Sequence, residues 1–341
     1  MIILYVILAI FVFGFMIFIH ELGHFMFAKL FKVAINEFSI GMGPKILSKK
    51  GKDGVSYSLR ALPFGGYVAM EGEDSESENP NAFNKKAAWK RFIIVIAGAT
   101  MNLLIGVIIM TALTASTPRF GTTIISSFQE NAISDNYLQV NDKIIKVGNT
   151  KVHTASELSY EIMRKGNEPV MLTVERNGTV LTIDNVVFPQ MTNEGVIFGS
   201  KDFKVFGEER TFTTVVKNSF YSCKSTIKMV YDSLFDLIKG RYGVEQISGP
   251  VGVTGAITEA AKDGSYSFFY LVVVISMNLG IFNLLPIPAL DGGTLLLLLI
   301  EMIIRRPIPQ KIEYAIKAAG FVAMIGFAVL ITFKDVIFLF K

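Results

Sequence analysis

Two histidines and a glutamate interrupt an apolar segment near the start of the sequence, "FMIFIHELGHFMFAKLF". His20, Glu21 and His24 form the pattern His-Glu-x-x-His. On a helix the two histidines are one turn apart and share a face, so both imidazoles can bind one Zn2+ at about 2.0–2.1 Å. Glu21 is adjacent and can reach a water at the metal as a general base. Ionisable groups in apolar spans are costly and usually functional, which argues against two merely structural histidines.

A catalytic zinc needs a third protein ligand and an open coordination position. The extended pattern of some metalloproteases would place a histidine at residue 30, which is Leu30 here, and His153 belongs to a soluble module. In "NLLPIPALDGG", Asp291 is an isolated carboxylate, and Pro286 and Pro288 break the helix before it. Broken spans are tolerated only inside protein or beside a watery cavity, so Asp291 is the predicted third ligand. Helix capping by Asp291 is the alternative, but capping does not explain the two prolines.

Four apolar stretches are long enough to carry these residues across a membrane, which takes about 20 helical residues. They cover 1–31, 92–115, 268–285 with a continuation at 294–304, and 318–333. The first stretch lacks a basic n-region and an A-x-A site, which predicts a retained span and not a signal peptide. The composition agrees, because 51% of the 341 residues are hydrophobic and only 18% are charged, as in integral membrane proteins.

Basic residues are concentrated between the first and second stretches and between the third and fourth. The positive-inside rule therefore places both connections in the cytoplasm, and the segment 116–267 and both termini outside. These loops account for the net charge of +4, which gives no reason to predict nucleic-acid binding. His20 then lies about 28 Å along the first span, towards its cytoplasmic end.

The outer segment has the pattern of a compact α+β module over about 119–188. "TTIISSF" and "DKIIKVG" are predicted strands, and "PVMLTVERNGTVLTI" is a predicted hairpin that turns at Asn177-Gly178. "ASELSYEIMRKG" is a predicted helix that ends at Gly166. Apolar residues then recur at three- and four-residue steps from Phe212 to Leu234. They predict an amphipathic helix, either in a core or at the membrane interface.

At "HELGH" and "NLLPIPALDGG" the sequence resembles the site-2 protease family of intramembrane zinc metalloproteases, most closely the bacterial regulators of sigma-E protease. "GMGP" resembles the family's G-x-G stretch, and "PFGGYVAMEGED" resembles its membrane-associated β-hairpin. "LQVNDKIIKVGNTKV" resembles a PDZ core, with Asn141 in place of the usual glycine. The resemblance implies a polytopic α-helical membrane protein of about four transmembrane helices, with a β-hairpin region and one inserted α+β PDZ domain.

The expected parts are an N-terminal membrane part (1–118), a PDZ-like domain (119–188), an amphipathic helical segment (189–267) and a C-terminal membrane part (268–341). The resemblance implies one Zn2+ per chain, bound by His20, His24 and Asp291, with Glu21 as base and then proton donor to the leaving amine. A substrate-binding or oxyanion role is implied for Asn283; Asn102 either shares it or is a polar contact between helices. The remaining expected substrate-binding residues are Gly41, Gly43, Gly65 and Gly66. They would either offer a strand edge to the substrate or belong to a simple re-entrant loop.

The implied function is hydrolysis of peptide bonds within the membrane spans of pre-trimmed single-span proteins, such as anti-sigma factors and remnant signal peptides. The expected location is the bilayer of the bacterial plasma (inner) membrane. A metal-binding membrane transporter or a non-catalytic receptor is the alternative, using the same three ligands. Glu21 separates the two hypotheses, because a carrier needs no base beside a three-ligand site.

Overall fold

The computed structural model describes residues 2–73, 75–193, 195–241 and 249–339. The chain forms two compact units, one of Met1–Ile109 with Gly243–Lys341 and one of Met110–Tyr242. The second unit is thus inserted in the sequence of the first. Residues 242–248, within the predicted segment 189–267, lie outside the described residues.

Helices make up most of the first unit. They are α1 (Ile2–Leu30), α2 (Ala88–Ser116, which continues into the second unit), α5 (Pro250–Asp263), α6 (Ser265–Leu284), α7 (Asp291–Ile304) and α8 (Gln310–Leu339). Among the described residues, four helical segments are long and apolar enough to cross a membrane: Leu4–Leu30, Ala88–Ser116, Ser265–Leu284 and Lys311–Asp335. The prediction of four helices long and apolar enough to span a membrane is confirmed. The continuation at 294–304 is a separate helix, α7, because the chain leaves α6 before the two prolines.

Glycines allow two helices to lie close against α2. A Cβ atom on Gly23 of α1 would come 2.5 Å from the carbonyl oxygen of Ala97, and one on Gly280 of α6 would come 3.0 Å from that of Ala99. Small residues at such contacts let helix backbones approach closely in membranes. Helices α1 and α6, which carry predicted site residues, are therefore packed closely against α2.

A side chain of α8 caps another helix of the same unit. Asp335 Oδ2 accepts hydrogen bonds from the backbone N–H groups of Gly249 (2.9 Å) and Gly252 (3.1 Å), at the start of α5. The first N–H groups of a helix have no partner inside the helix, and a carboxylate there also interacts favourably with the helix dipole. Asp335 thus ties the far end of α8 to α5.

Strands β1 (Ile35–Lys50) and β2 (Ser56–Met70) form the β-hairpin region, and both are bent. Residues 37–40 lie beside both 66–69 and 56–59, and 47–50 lie beside 56–59. Gly41, Gly43 and Gly65 sit at the bends with φ between 81° and 85°, a conformation that glycine adopts without a steric penalty. The hairpin is thus folded on itself, with 66–70 and 45–50 as the outer segments of the sheet.

A polar cluster joins the two bent strands. Glu37 lies 3.0 Å from Arg60 and 3.1 Å from Lys45. Burial opposes ionisation of the Glu37 carboxyl, but hydrogen bonds from Ser58, Lys45 and Arg60 outweigh it and lower the pKa of Glu37 to about 2. The carboxylate therefore stays charged and keeps the folded hairpin together at physiological pH.

The second unit contains β3 (Arg119–Phe128), β4 (Lys143–Val147), β5 (Thr150–Lys151), α3 (Ala155–Lys165), β6 (Val170–Arg176), β7 (Thr179–Val186), β8 (Gln190–Asn193), β9 (Val196–Gly199), β10 (Phe203–Glu209) and α4 (Phe212–Ile238). The main sheet has the order β10-β3-β4-β6-β7, with β5 paired to β4, and β8 and β9 form a separate hairpin. Ile125, Ile144, Leu158, Leu172 and Phe203 belong to its apolar core. The predicted hairpin turns at Asn177 and Gly178, both at positive φ.

This sheet continues beyond residue 188, where the sequence predicts the module to end. β10 pairs with β3, and Arg119 lies opposite Glu209. Asn141 has φ of 74°, and asparagine is one of the few residues besides glycine that adopts this conformation readily. Asparagine is therefore accommodated at the position where glycine is usual.

Helix α4 packs on α3 through polar side chains. Arg164 forms ion pairs with Asp232 and, at 2.9 Å, with Asp236, and Lys228 lies 2.9 Å from Glu161. The apolar side chains of α4 are divided: Cys223 and Val230 are buried, whereas Phe212, Val216, Phe220, Phe235 and Ile238 are all more than half accessible to solvent. The interpretation of α4 as a core helix therefore holds only for the buried side chains, and a location of the exposed ones at the membrane interface stays a prediction.

Candidate metal centre

The predicted ligand atoms converge on one point. His20 and His24 are buried on the same face of α1, with their Nε2 atoms 3.1 Å apart. Asp291 Oδ2 lies 3.1 Å from His20 Nε2 and 3.4 Å from His24 Nε2. One ligand atom from each residue lies within 4.8 Å of the others. The helical spacing of the two histidines and the break before Asp291 thus produce one cluster.

The hydrogen bonds of the cluster are compatible with a bound cation. His24 Nδ1 donates to the carbonyl oxygen of Ile94 at 2.9 Å, so in the neutral ring Nε2 carries a lone pair. That lone pair faces Asp291 Oδ2, which is buried and has no hydrogen-bond partner among the described residues. Facing acceptors are unfavourable in a buried site unless a proton or a metal ion lies between them. Two imidazoles and a carboxylate are also a common protein ligand set of catalytic zinc.

The segment between α6 and α7 places Asp291. Asp291 is the first residue of α7, and its N-cap is Leu290, which makes no side-chain cap. The capping alternative is therefore wrong, and the carboxylate is directed at the histidines. Ala289 has φ of 75°, an unusual conformation for a residue with a β-carbon. The intrinsic preference of alanine does not explain this positive φ, so contacts with neighbouring residues must stabilise it.

Two glycines let neighbouring elements support the segment. A Cβ atom on Gly293 in the first turn of α7 would lie 2.5 Å from the carbonyl oxygen of Ile287. A Cβ atom on Gly320 of α8 would lie 2.5 Å from the carbonyl oxygen of Pro288. Backbone thus packs directly on backbone on both sides of the Pro-x-Pro segment. These contacts account for the defined position of Asp291.

One face of α2 lines the two imidazole rings. Ile94, Gly98 and Asn102 are spaced by four residues and share this face. A Cβ atom on Gly98 would lie 2.6 Å from His24 Cε1 and 2.9 Å from His20 Cε1. Sequence reasoning misses Gly98, because a glycine in a span only indicates a close helix contact. Its four-residue spacing from Asn102 is the signal that could have identified this face.

The other predicted site residues differ in their distance from the cluster. Glu21 is half-buried, and a Cβ atom on Gly66 would lie 3.5 Å from its Cγ, so β2 passes beside the glutamate. Asn283 Nδ2 lies 3.4 Å from His20 Nδ1. Gly41, Gly43 and Gly65 occupy the bends of the hairpin instead, where Gly65 packs against Met42. The structure thus brings Asn283 and Gly66 to the site and uses the other three glycines to shape the sheet.

Comparison with known proteins gives the family. The model of peptidase family M50 matches residues 8–327. The chain belongs to peptidase family M50. A protein of Clostridium acetobutylicum is 34% identical to this peptidase over 334 residues, covering 98% of this chain and 97% of the relative. One of Fusobacterium nucleatum is 36% identical over 341 residues, covering 98% and 99%. Both relatives are provisionally named zinc metalloproteases.

The peptidase is therefore a zinc metalloprotease with zinc as its cofactor. Its four apolar helices and its family make it a multi-pass membrane protein. The alternative of a metal transporter or receptor finds no support in the family or in the relatives' names.

Proposed function

We propose that the peptidase hydrolyses peptide bonds inside the membrane spans of its substrates. One observation carries this proposal: the predicted ligand atoms meet within the membrane part of the chain. His20 and His24 lie inside the candidate span Leu4–Leu30, and Asp291 follows the candidate span Ser265–Leu284 by a few residues. A site at this depth is accessible to membrane-spanning clients, and an ionisable cluster there is functional by default.

The roles follow from the geometry of the cluster. His20, His24 and Asp291 hold one zinc ion, which when bound polarises the scissile carbonyl and lowers the pKa of a water ligand to about 7. Glu21 follows His20 directly and approaches the site from the side of β2. It takes a proton from the attacking water and then delivers it to the nitrogen of the leaving amine. Asn283 contacts the substrate near the reacting carbonyl.

A helical substrate must unwind before a peptide bond becomes accessible, and the freed backbone groups need partners. Segment 66–70 is an outer segment of the folded hairpin and, in the described part of the chain, pairs only with residues 35–40. Its outer edge can bind an extended substrate by strand addition. Gly66 places this edge beside Glu21. The bends at Gly41, Gly43 and Gly65 give the edge its shape.

The clients we propose are single-span proteins already shortened by another protease, including anti-sigma factors and remnant signal peptides. We therefore propose that the peptidase acts in regulated intramembrane proteolysis in the bacterial plasma (inner) membrane, like the regulators of sigma-E protease. The β3–β10 sheet with α3 acts as the single PDZ-like module, on the outer side. The partners are thus membrane proteins and the lipid bilayer, and no nucleic acid.

Purified peptidase in liposomes provides the direct test. It should cleave a single-span protein with a short ectodomain within its span and leave a soluble protein of similar sequence intact. In cells, membrane stubs that accumulate with Glu21→Gln and disappear with the wild type would identify the clients by mass spectrometry. Cleavage of soluble sequences only would contradict intramembrane proteolysis.

The position of the cut is a further prediction. The cluster lies towards the end of α1 that contains Lys29 and is followed by Lys32, and the positive-inside rule places this end towards the cytoplasm. Substrates should therefore be cut in the cytoplasmic half of their span, preferably beside helix-weakening residues. Mass spectrometry of both products will locate the bond. A dominant cut in the outer half would show that the orientation or the depth of His20 is wrong.

The outer module should act as a size filter. Because Arg119 lies opposite Glu209, residues 119–209 can be replaced by a short Gly/Ser linker without stretching the flanking chain. The shortened peptidase should bind zinc as the wild type does and also cleave substrates with a long, untrimmed ectodomain. Cleavage rates for matched short and long substrates measure the effect. If the shortened protein folds, binds zinc and still rejects the long substrate, the filter is located elsewhere.

A further inference from the structure

The two ring nitrogens of His20 face different partners. Nε2 points to His24 and Asp291, whereas Nδ1 lies 3.4 Å from the side-chain amides of both Asn102 and Asn283. If Nε2 binds the metal, as proposed above, Nδ1 carries the remaining proton and needs an acceptor. Such an acceptor normally fixes the tautomer and the orientation of a metal-binding histidine. One of the two asparagines therefore has this role.

His24 shows how the protein meets the same need. Its Nδ1 donates to the carbonyl oxygen of Ile94 on α2. Asn102 lies two turns further along the same face of α2, with Gly98 between them. Gly98 touches both rings, so this face runs along the cluster from His24 to His20. Asn102 is therefore positioned to accept a hydrogen bond from His20 Nδ1, as the Ile94 carbonyl oxygen accepts one from His24 Nδ1.

The surroundings of Asn102 leave its amide oxygen without a donor. Asn102 is fully buried, with 0% of its surface exposed. Its Oδ1 has no hydrogen-bond partner among the described residues, while its Nδ2 faces His20 Nδ1. A buried amide oxygen without a donor is unfavourable, because it has lost its hydrogen bonds to water and gained none in the protein. Rotation of the amide about its Cβ–Cγ bond exchanges the two atoms, which gives Oδ1 the Nδ1–H donor and removes this penalty.

We infer that Asn102 is the positioning residue of His20: its Oδ1 accepts the Nδ1–H and holds the ring with Nε2 directed at the metal. A hydrogen bond of 2.7 Å from Ser276 Oγ to the backbone carbonyl oxygen of Asn102 joins α6 to α2 beside this side chain. Asn283 is only partly buried and lies at the end of α6, so it stays available for substrate. The inference rests on the metal role proposed for His20.

Zinc release from the full-length protein tests the inference. Asn102→Leu keeps the size of the side chain and removes the acceptor, whereas Asn102→Asp keeps an acceptor oxygen. Loss of such a partner typically weakens metal binding by about 10–100-fold, so Asn102→Leu should release zinc to a chelator faster by this factor. Asn102→Asp should release it near the wild-type rate. Thr100→Leu, on the exposed side of α2, is the matched control and should behave as the wild type.

A spectroscopic readout separates positioning from packing. The chain has three histidines, so 15N-histidine labelling of the zinc-loaded protein gives few ring signals, and His153→Gln removes those of the third. Asn102→Leu should shift the Nδ1 signal of one ring and leave unchanged that of His24, whose Nδ1 donates to Ile94. Asn102→Asp should keep that proton in a hydrogen bond.

Two results would overturn the inference. One is an unchanged zinc release rate and Nδ1 signal in Asn102→Leu. The other is zinc release from folded Asn102→Asp that is as fast as from Asn102→Leu, which would make Asn102 a packing residue. If Asn102→Leu does not fold, the release rate of Asn102→Asp relative to the wild type decides alone. His20→Ala separates this from the proposed function: zinc retained without His20 contradicts the metal site itself.

Discussion

Glu21→Gln should leave about one zinc per chain in place and lower kcat/KM for a single-span substrate by about 10²–10⁴-fold. This is the usual contribution of a positioned general acid–base group. Glutamine has the same shape as glutamate, so the packing of α1 against β2 at Gly66 is kept. It cannot take up the proton of the attacking water. Metal analysis of the purified protein and cleavage rates in liposomes measure the two effects separately.

His24→Ala and Asp291→Ala provide the contrast. Each removes one of the three atoms that lie within 4.8 Å of one another, and should therefore lower zinc content together with activity. The combination of retained zinc and lost cleavage is then specific to Glu21. Full cleavage by Glu21→Gln, in a preparation free of other proteases, would contradict the assignment of the base.

Gly98→Ala should disable the metal centre by adding one methyl group. The new Cβ would lie 2.6 Å from His24 Cε1 and 2.9 Å from His20 Cε1, so both rings must move. Alanine is a better helix former than glycine by about 1 kcal/mol, but overpacking typically costs 1–3 kcal/mol, so the clash outweighs the gain. A displacement of about 1 Å can reduce a rate by about 10²-fold, and we expect a loss of this size in cleavage together with weaker zinc binding.

Gly326→Ala in α8 is the matched control, since no described atom lies within 4 Å of a Cβ placed there. It makes the same chemical change in another apolar helix and should retain wild-type zinc binding and cleavage. Equilibrium zinc titration and kcat/KM for both variants make the comparison. Wild-type behaviour of Gly98→Ala would show that α2 does not constrain the histidines.

Helix geometry makes part of the metal centre predictable from the sequence. The period of 3.6 residues places His20 and His24 on one face in any helix, and the two prolines mark the break before Asp291. The contribution of α2 is not predictable from helix geometry in this way. The spacing of Gly98 and Asn102 indicates only a shared face of α2. It does not indicate that Gly98 touches two rings or that the Ile94 carbonyl oxygen accepts from His24, because both depend on how two spans pack.

The same distinction applies to the fold. Length and hydrophobicity predict four spans, and alternation about Asn177 predicts a hairpin, because these patterns arise within short windows. The pairing of β10 with β3 joins residues about 80 positions apart, and short-range patterns do not encode such partners. The double pairing of residues 37–40 depends on bends at Gly41 and Gly43, which a plain hairpin prediction does not include.

The packing of α8 changes how sequence variants of this peptidase should be interpreted. Most of α8 is exposed, and by position alone a change at Gly320 would be classed as a neutral variant of a lipid-facing anchor. Gly320 contacts Pro288, which belongs to the segment that positions Asp291. Asp335 joins the other end of the helix to α5. Variants at Gly320 and Asp335 should therefore be interpreted together with variants of the proposed metal ligand Asp291, although they lie 29 and 44 residues beyond it in the chain.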